Sequence, residues 1–318
     1  MVLCDSMQIQ IIGTESLGVR GLCCVIKTSE RKIIIDPGVA LGYRRDGLLP
    51  HPFQIAVGEK VKENILKELE GSTDIVISHF HGDHIPLVDA NPYQLDAKRA
   101  APYFVKPRLW CKGNNEMSSL MRRRRNKLSD LFDRSLPNAE GKTDDSFKFS
   151  RPVFHGEPKS GMGTVMMTRI EDEKVFVHAS DIQLLNSNAV SQIISWKPHI
   201  VLVSGPPLYL KRISKKKRDE SWNNAVRLSR QVETLIIDHH LLRNNEGYAL
   251  LKKIGFKSGR SIICAADFMK KRPLLLEANR KLLYKEMPVP DDWHRKYSMG
   301  KINTSNYREW LGYSVDQR

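Results

Sequence analysis

Residues 75–84 run Ile-Val-Ile-Ser-His-Phe-His-Gly-Asp-His. A short apolar run of this kind reads as a buried strand. The loop after it packs His79, His81, Asp83 and His84 into six positions. Any fold for this chain must therefore end a buried strand where four polar side chains converge. Imidazole and carboxylate together suit zinc and similar divalent ions. Gly82 stands between the two donor pairs and is expected to let the backbone fold back there. The expectation is a metal site at a strand end, holding two ions.

Around this loop, strand-like and helical stretches alternate. Strands are expected at 8–12, 21–27, 31–36, 74–78, 103–110, 152–154, 164–170, 174–178, 199–203, 233–238 and 261–264. Helices are expected at 59–70, 115–132, 188–196, 219–231, 246–254 and 266–282. Residues 136–147 read as a loop. Hairpins come first, then strands alternating with helices, which suggests helices packed on two central sheets. The economical organisation is one domain over 1–318, with a polar tail from about 288.

The chain carries 51 Lys and Arg against 36 Asp and Glu, a net charge of +15. Such an excess favours anionic partners: nucleic acid, nucleotides or phosphorylated metabolites. It gathers at Arg122, Arg123, Arg124, Arg125 and Lys127, and again at Lys211, Arg212, Lys215, Lys216, Lys217 and Arg218. Either an anion-binding rim or a solvated basic surface fits these runs. No apolar run is long enough to span a membrane, and residues 1–10 lack the basic-then-apolar order of a signal peptide. The five cysteines, Cys4, Cys23, Cys24, Cys111 and Cys264, form no CxxC pair. They read as reduced thiols of a cytoplasmic protein. Nothing in the sequence speaks to oligomeric state.

More donors stand where strand-like runs end. Residues 152–154 lead into His155, 175–177 into His178 and Asp181, and 234–237 into Asp238, His239 and His240. Strand ends are rigid, and the loops beyond them are free to carry chemistry. One such histidine says little; with the heptapeptide, the set supplies side chains for two ions. His178 lies three before Asp181 and in a strand faces the opposite side, so it reads as core. His51 either walls a pocket or lies in a plain loop. His199 reads as structural and His294 as exposed. Ser204-Gly205-Pro206-Pro207 reads as a turn or the edge of a site, and Tyr209 could donate to a developing oxyanion.

Taken in order, these elements resemble the metallo-β-lactamase-fold hydrolase superfamily, whose hallmark is His-x-His-x-Asp-His followed by a His, an Asp and a final His. The heptapeptide, His155, Asp181, the pair His239 and His240, and an early strand closing at Asp36 all match, over roughly residues 8–265. More narrowly, Thr-Glu-Ser-Leu-Gly-Val-Arg-Gly at 14–21 and Asp-His-His-Leu-Leu-Arg at 238–243 are similar to segments of an uncharacterised archaeal family within that superfamily. The resemblance implies an α/β fold, a four-layer αβ/βα sandwich of metallo-β-lactamase type, with metals at the sheet edge. It implies one ion on His79, His81 and His155, and another on Asp83, His84 and either His239 or His240. Asp181 would bridge both. His239 is favoured because the superfamily places a single His just after that strand. The cofactors implied are two divalent metal ions, zinc ahead of manganese or iron. Asp83 would also orient the nucleophile. Asp36 and Asp238 are candidates to hold ligand imidazoles through their second N–H; a turn ahead of Pro37-Gly38 is the other reading of Asp36.

Two cations about 3.5–4 Å apart can share a water and supply hydroxide near neutral pH. Metal binding lowers the pKa of water from about 15.7 to roughly 7. The function implied is a dinuclear metal-dependent hydrolase acting through a metal-bridging hydroxide on an anionic substrate. That substrate would be a phosphodiester, a nucleic acid, or a small phosphorylated or ester metabolite. The stretch between Asp181 and His239 is too short for the inserted domain of the superfamily's nucleic-acid-processing members. Two alternatives use the same residues. One is a mononuclear iron oxidoreductase of the same fold, although the superfamily's di-iron enzymes usually carry Glu where His81 stands. The other is a non-catalytic nucleic-acid-binding protein with a structural metal.

Overall fold

A computed structural model describes residues 7–158, 161–210 and 213–308. Strands β1 (Gln8–Gly13), β2 (Cys23–Lys27), β3 (Lys32–Ile35), β4 (Asp74–Ile77) and β5 (Arg108–Cys111) form one sheet in that order. Antiparallel pairing joins β1 to β2 and β2 to β3, while β3, β4 and β5 run parallel. Side chains alternate across this sheet, as the two-residue period of a strand requires. Cys24, Ile26, Ile33, Ile35 and Val76 share a core with the second sheet. Cys23, Val25, Ile34, Ile75 and Ile77 share another with Val57, Val61 and Ile65 of helix α1 (Pro52–Leu69). The one-turn helix α2 (Ala97–Ala100) and helix α3 (Ser119–Phe132) flank this layer.

The second sheet has the order β14–β13–β12–β11–β10–β7–β6. Its strands are β6 (Thr143–Asp144), β7 (Phe147–Phe149), β10 (Thr168–Glu171), β11 (Val175–His178), β12 (Ile200–Val203), β13 (Thr234–Ile237) and β14 (Ile262–Ile263). From β11 to β14 the pairing is parallel. Helices α4 (Ser187–Ser195), α5 (Lys215–Ser229) and α6 (Asn245–Ser258) connect these strands. Right-handed crossovers between parallel neighbours put such helices on one face. The opposite face meets the first sheet, where Trp110 of β5 packs on Phe147 and Phe149 of β7 at 5.3 and 5.1 Å between ring centroids. The fold is thus mixed α/β, and the carboxyl ends of its parallel strands supply one edge. Ligands of open α/β sheets bind outside such carboxyl ends.

Several elements depart from the sequence expectation. The strand expected at 164–170 is two strands, because the chain serves two partners. Thr164–Val165 (β9) pairs with Val153–Phe154 (β8), and β10 pairs with β7 and β11. At the break, Met166 N–H donates to the Ser78 carbonyl at 2.9 Å and Ser150 N–H to that of Met167 at 2.9 Å. The helix expected at 266–282 is divided into α7 (Ala265–Phe268) and α8 (Arg280–Glu286). Pro273 lies between them, and Leu274 bridges to Leu17 instead. The strand expected at 103–110 begins only at Arg108, after a 3-10 turn at Ala101–Phe104 that contains Pro102. The expected loop 136–147 contains β6. Helix α1 starts earlier than expected because His51 caps it, its Nδ1 accepting the Phe53 N–H at 3.1 Å. In the tail, Trp293 of α9 (Trp293–Ser298) is buried, and Tyr297 donates to Glu59 of α1 at 2.8 Å.

Candidate metal centre

The heptapeptide leaves β4 and immediately ties to β3. Ser78 N–H donates to Asp36 Oδ1 at 2.8 Å, and Ser78 Oγ lies 2.6 Å from Asp36 Oδ2. A tight turn follows, with His84 N–H donating to the His81 carbonyl at 3.1 Å. The glycine that this turn requires is Gly38 of the neighbouring strand end: a Cβ there would stand 2.1 Å from Ile85 N and 2.2 Å from the His84 carbonyl carbon. Gly82 itself has an ordinary backbone, contrary to expectation. It is small because a Cβ would lie 2.8 Å from Leu87 Cδ1.

The later donors arrive from β8, β11 and β13, and they sort around the two oxygens of Asp181. Oδ2 lies 2.7 Å from His155 Nε2, 3.3 Å from His240 Nε2 and 3.6 Å from His79 Nε2. Oδ1 lies 3.2 Å from His84 Nε2 and 3.5 Å from His239 Nε2. His81 Nδ1 joins the first group, 3.0 Å from His79 Nε2. Asp83 Oδ2 joins the second, 3.5 Å from His239 Nε2. Donor atoms of His79, His81, His155 and Asp181 lie within 4.8 Å of one another, as do those of Asp83, His84 and His239. All eight candidate ligands therefore meet. The adjacent His239 and His240 both reach Asp181, with donor atoms of the three within 4.8 Å of one another, and diverge in their other neighbour: His239 faces Asp83 and His240 faces His155.

The donor set fits divalent ions. His84 Nε2 and Asp181 Oδ1 are fully buried and face each other, yet neither makes a hydrogen bond among the described residues. Buried polar atoms without partners are costly, and an ion between nitrogen and oxygen would satisfy both. The outer ring nitrogens are held. His84 Nδ1 lies 2.9 Å from Asp36 Oδ2, His79 Nδ1 2.9 Å from Ser78 Oγ, and His155 Nδ1 3.0 Å from the Gln183 side-chain amide.

Electrostatics separate the imidazoles. Burial, with the His84 ring beside it, pushes His79 down to about 4. Burial and Arg243 push His240 down to about 3. His81 is likewise lowered by burial and the neighbouring His79 and His155 rings, and His239 by burial and Arg243. Burial alone would lower His84 too, but the carboxylates of Asp181 and Asp36 hold it well above the usual range. Burial would raise Asp83 and Asp181; the surrounding histidines, with Arg243 beside Asp83, hold both well below ordinary carboxylates.

Other expected residues stand apart. His51 donates to the Met287 carbonyl at 2.9 Å while capping α1. His178 is buried and donates to the Leu22 carbonyl at 2.9 Å. His199 accepts the Val175 N–H at 2.9 Å. His294, expected to be exposed, is half-buried between the hydroxyls of Tyr93 and Tyr284 at 3.1 and 2.8 Å. Asp238 orients no imidazole. It accepts the N–H groups of Ser16, His239 and Ala265, tying β13 to the first loop.

The sequence reading missed Arg243. Its Nε donates to Glu15 Oε1 at 2.8 Å, its Nη2 lies 3.4 Å from Asp83 Oδ2, and its Nη1 lies 3.3 Å from the Tyr209 hydroxyl. Nη2 is also 2.9 and 3.4 Å from Nε2 and Nδ1 of His239, so it lies across the ring rather than along the outward lone pair. The signal was there. Asp-His-His-Leu-Leu-Arg places Arg four residues after His239, and a 3-10 turn at Leu241–Arg243 carries it back over that ring.

No family model matches the chain. A UPF0282 protein of Methanosarcina mazei is 51% identical over 302 residues, covering 95% of this chain and 99% of that one. The chain belongs to the UPF0282 family. Further archaeal UPF0282 proteins include one from Thermococcus onnurineus, 35% identical over 75% of this chain and 83% of that one, and one from Pyrococcus abyssi, 32% identical over 88% and 93%. Among solved structures, the CmlA beta-hydroxylase E377D mutant is similar with a TM-score of 0.43 and 10% identity, over 81% of this chain and 51% of that chain. No described helix is long and apolar enough to cross a membrane. Cys23, Cys24, Cys111 and Cys264 are buried free thiols, and Cys4 lies outside the described residues.

Proposed function

We propose that this UPF0282 member is a dinuclear metal-dependent hydrolase, one domain with the four-layer sandwich of the metallo-β-lactamase type. The observation that carries the reading is the division of donors by Asp181: three imidazoles gather near Oδ2 and two near Oδ1. In this reading His79, His81 and His155, with His240 beside them, would hold one divalent ion. Asp83, His84 and His239 would hold the other. When bound, such ions lower the pKa of a water and neutralise negative charge developing on the substrate.

The chain's own residues supply the rest. Asp83 stays ionised and is the most exposed of the carboxylates at the centre, its side chain 18% accessible against 2% for Asp181. It can orient an attacking water by accepting its proton in a hydrogen bond. Asp36 fixes the His84 ring, and Ser78 that of His79. The buried free thiols fit a reducing compartment, the cytoplasm.

The test is to purify the protein, measure bound metal, and screen p-nitrophenyl esters and bis-p-nitrophenyl phosphate. Two divalent ions per chain and turnover abolished by Asp181→Ala are expected. An iron-loaded, coloured protein with no hydrolytic activity, or turnover that survives Asp181→Ala, would refute the assignment.

A further inference from the structure

A cavity of about 530 Å³ opens onto the centre. Its polar lining is His240, Arg243, Tyr209, Gln183, Ser214 and Glu157, the last 3.9 Å from Lys217 Nζ. Met162, Leu185, Leu210 and Ile213 contribute an apolar wall. Its volume falls in the range of small-molecule sites, roughly 300–1,000 Å³. The cavity shares His240 with the donor set, and its Gln183 touches His155. A molecule bound there therefore reaches the ions' side of Asp181.

Arg243 brings a guanidinium group to the polar lining. Arg243 belongs to a largely buried network with Glu15, Asp83, Arg20, Glu277 and Arg45. With Asp83, 3.4 Å from Arg243 Nη2, three carboxylates face three guanidinium groups, so the network is balanced and a bound anion would meet the Arg243 edge itself rather than a surplus charge. Among the described residues Arg243 Nη1 meets the Tyr209 hydroxyl at 3.3 Å, longer than a charge-assisted bond of about 2.7–2.9 Å. A guanidinium edge next to a phenol hydroxyl matches the oxygens of a carboxylate or phosphate.

The basic clusters, which first suggested nucleic acid, are partly occupied by the protein itself. Arg218 donates to the carbonyls of Leu208, Leu210 and Ile213, the loop that walls the cavity. Lys217 pairs with Glu220 at 2.8 Å. Arg124 lies 3.4 Å from the Phe80 carbonyl, Arg125 donates to that of Leu136, and Lys127 pairs with Asp89. These side chains shape the metal loop and the cavity mouth. Lys211 and Arg212 lie outside the described residues.

We infer that the cavity takes a small organic oxyanion, a carboxylate or phosphate with a short apolar body, its charge on Arg243 and Tyr209 and its body on Leu185, Leu210 and Ile213. The inference rests on the hydrolase reading for placing the reacting bond at the ions. Its binding side can be tested without turnover.

The full-length, metal-loaded protein would be titrated calorimetrically with hexanoate, hexyl phosphate, hexanol, inorganic phosphate and a 20-nucleotide single strand of DNA. One of the two hexyl anions should bind at least about tenfold tighter than hexanol, a difference of about 1.4 kcal/mol, and the stronger anion identifies the source. It should also exceed inorganic phosphate, which lacks the apolar body. Arg243→Met should remove the preference for the anion over hexanol, Arg243→Lys should restore part of it, and Leu210→Ser should weaken both hexyl ligands alike. If Arg243→Met fails to fold, Tyr209→Phe gives the same reading, with a smaller loss confined to the anions. Equal anion binding in Arg243→Met with metal content intact would mean the ions alone hold the anion, and DNA binding tighter than either hexyl ligand would point to a polymer; either result overturns the inference. If anions bind through Arg243 and no ester is turned over, the hydrolase reading falls and the oxyanion site stands. If esters turn over with KM unchanged in the Arg243 variants, the reverse holds.

Discussion

Asp36→Asn should weaken one half of the metal centre more than the other while leaving the backbone intact. Asp36 has a left-handed backbone with φ of 49°, a conformation that Asn tolerates about as readily as Asp. Its carboxylate serves four groups: Oδ1 takes the Ser78 N–H at 2.8 Å, and Oδ2 meets Ser78 Oγ at 2.6 Å, His84 Nδ1 at 2.9 Å and the Ser180 hydroxyl at 3.4 Å. Asn keeps one oxygen. If that oxygen stays on the Ser78 N–H, an NH₂ group faces His84 Nδ1. The ring must then accept there and carry its proton on Nε2, the atom aimed at Asp181. That proton blocks the lone pair an ion needs. Removing an outer partner of a metal ligand costs about 10–100-fold in affinity, or about 1.4–2.7 kcal/mol at 1.4 kcal/mol per tenfold. The larger loss should fall on the Asp83–His84–His239 side, because the other side reaches Asp36 only at second hand, through Ser78 Oγ between Asp36 Oδ2 and His79 Nδ1. Competition with a graded chelator, followed by metal counting, should show one ion weakened within that range and the other weakened less. Two ions held at parental affinity would refute the role given to Asp36, and equal weakening of both would refute the division of the site.

The histidine pair offers a second test of that division: His239→Ala should weaken the ion beside Asp83, and His240→Ala the ion beside His155, each read by Co²⁺ titration and visible absorption. Identical spectra from the two variants would contradict the divergence of the rings. Metal affinity should rise with pH, because folded His84 has a raised pKa. Below the ordinary imidazole value of about 6.5, its proton is bound in the folded and unfolded chains alike. The stabilisation that proton receives from Asp181 and Asp36 is then fully present, and it is lost as pH climbs through the raised folded value. An entering ion displaces the same proton, so apparent affinity should climb by up to about tenfold per pH unit; titration in buffers of different ionisation enthalpy should register proton release, and its absence would contradict the His84–Asp181–Asp36 arrangement. Finally, Gly38→Ala forces a Cβ to within 2.2 Å of the His84 backbone, so unfolding by denaturant should show a loss beyond about 4 kcal/mol, and a parental midpoint would mean the loop can move aside.

Much of the centre was legible because its donors are local in sequence or follow strands with a clear apolar run. The loop 79–84 declares itself in six residues, and β11 and β13 announce Asp181 and His239 by the apolar residues before them. What stayed hidden depends on partners far along the chain. The two-residue break at Met166 is set by the carbonyl of Ser78, and the division of α7 from α8 by Ser16, whose carbonyl takes the Leu274 N–H. Asp238 looked able to orient an imidazole, but Ser16 and Ala265 claim its oxygens. Arg243 was visible as a letter in a motif. Its role needed Glu15, which lies at the other end of the chain.

Three corners of the centre show why residue type and backbone shape could not be read together. Asp36, Ser180 and His239 each follow a strand end and each have a left-handed backbone, with φ of 49°, 52° and 54°. Glycine would adopt that shape without the cost of about 1–3 kcal/mol that other residues bear. A sequence reader therefore looks for glycine at such corners and finds none. The reason is that each corner also needs its side chain. Asp36 holds His84, the Ser180 hydroxyl lies 2.6 Å from that of Ser78, and His239 turns its ring toward Asp83. Hydrogen bonds hold the strained shapes in place: between strands, Asp36 N–H donates to the Val76 carbonyl and Ser204 N–H to that of Ser180, and locally the Asp238 carboxylate takes the His239 N–H. Strain concentrated at the ends of three strands, at residues whose side chains point into one cluster of imidazoles, is the pattern of a site whose geometry is fixed before a ligand arrives.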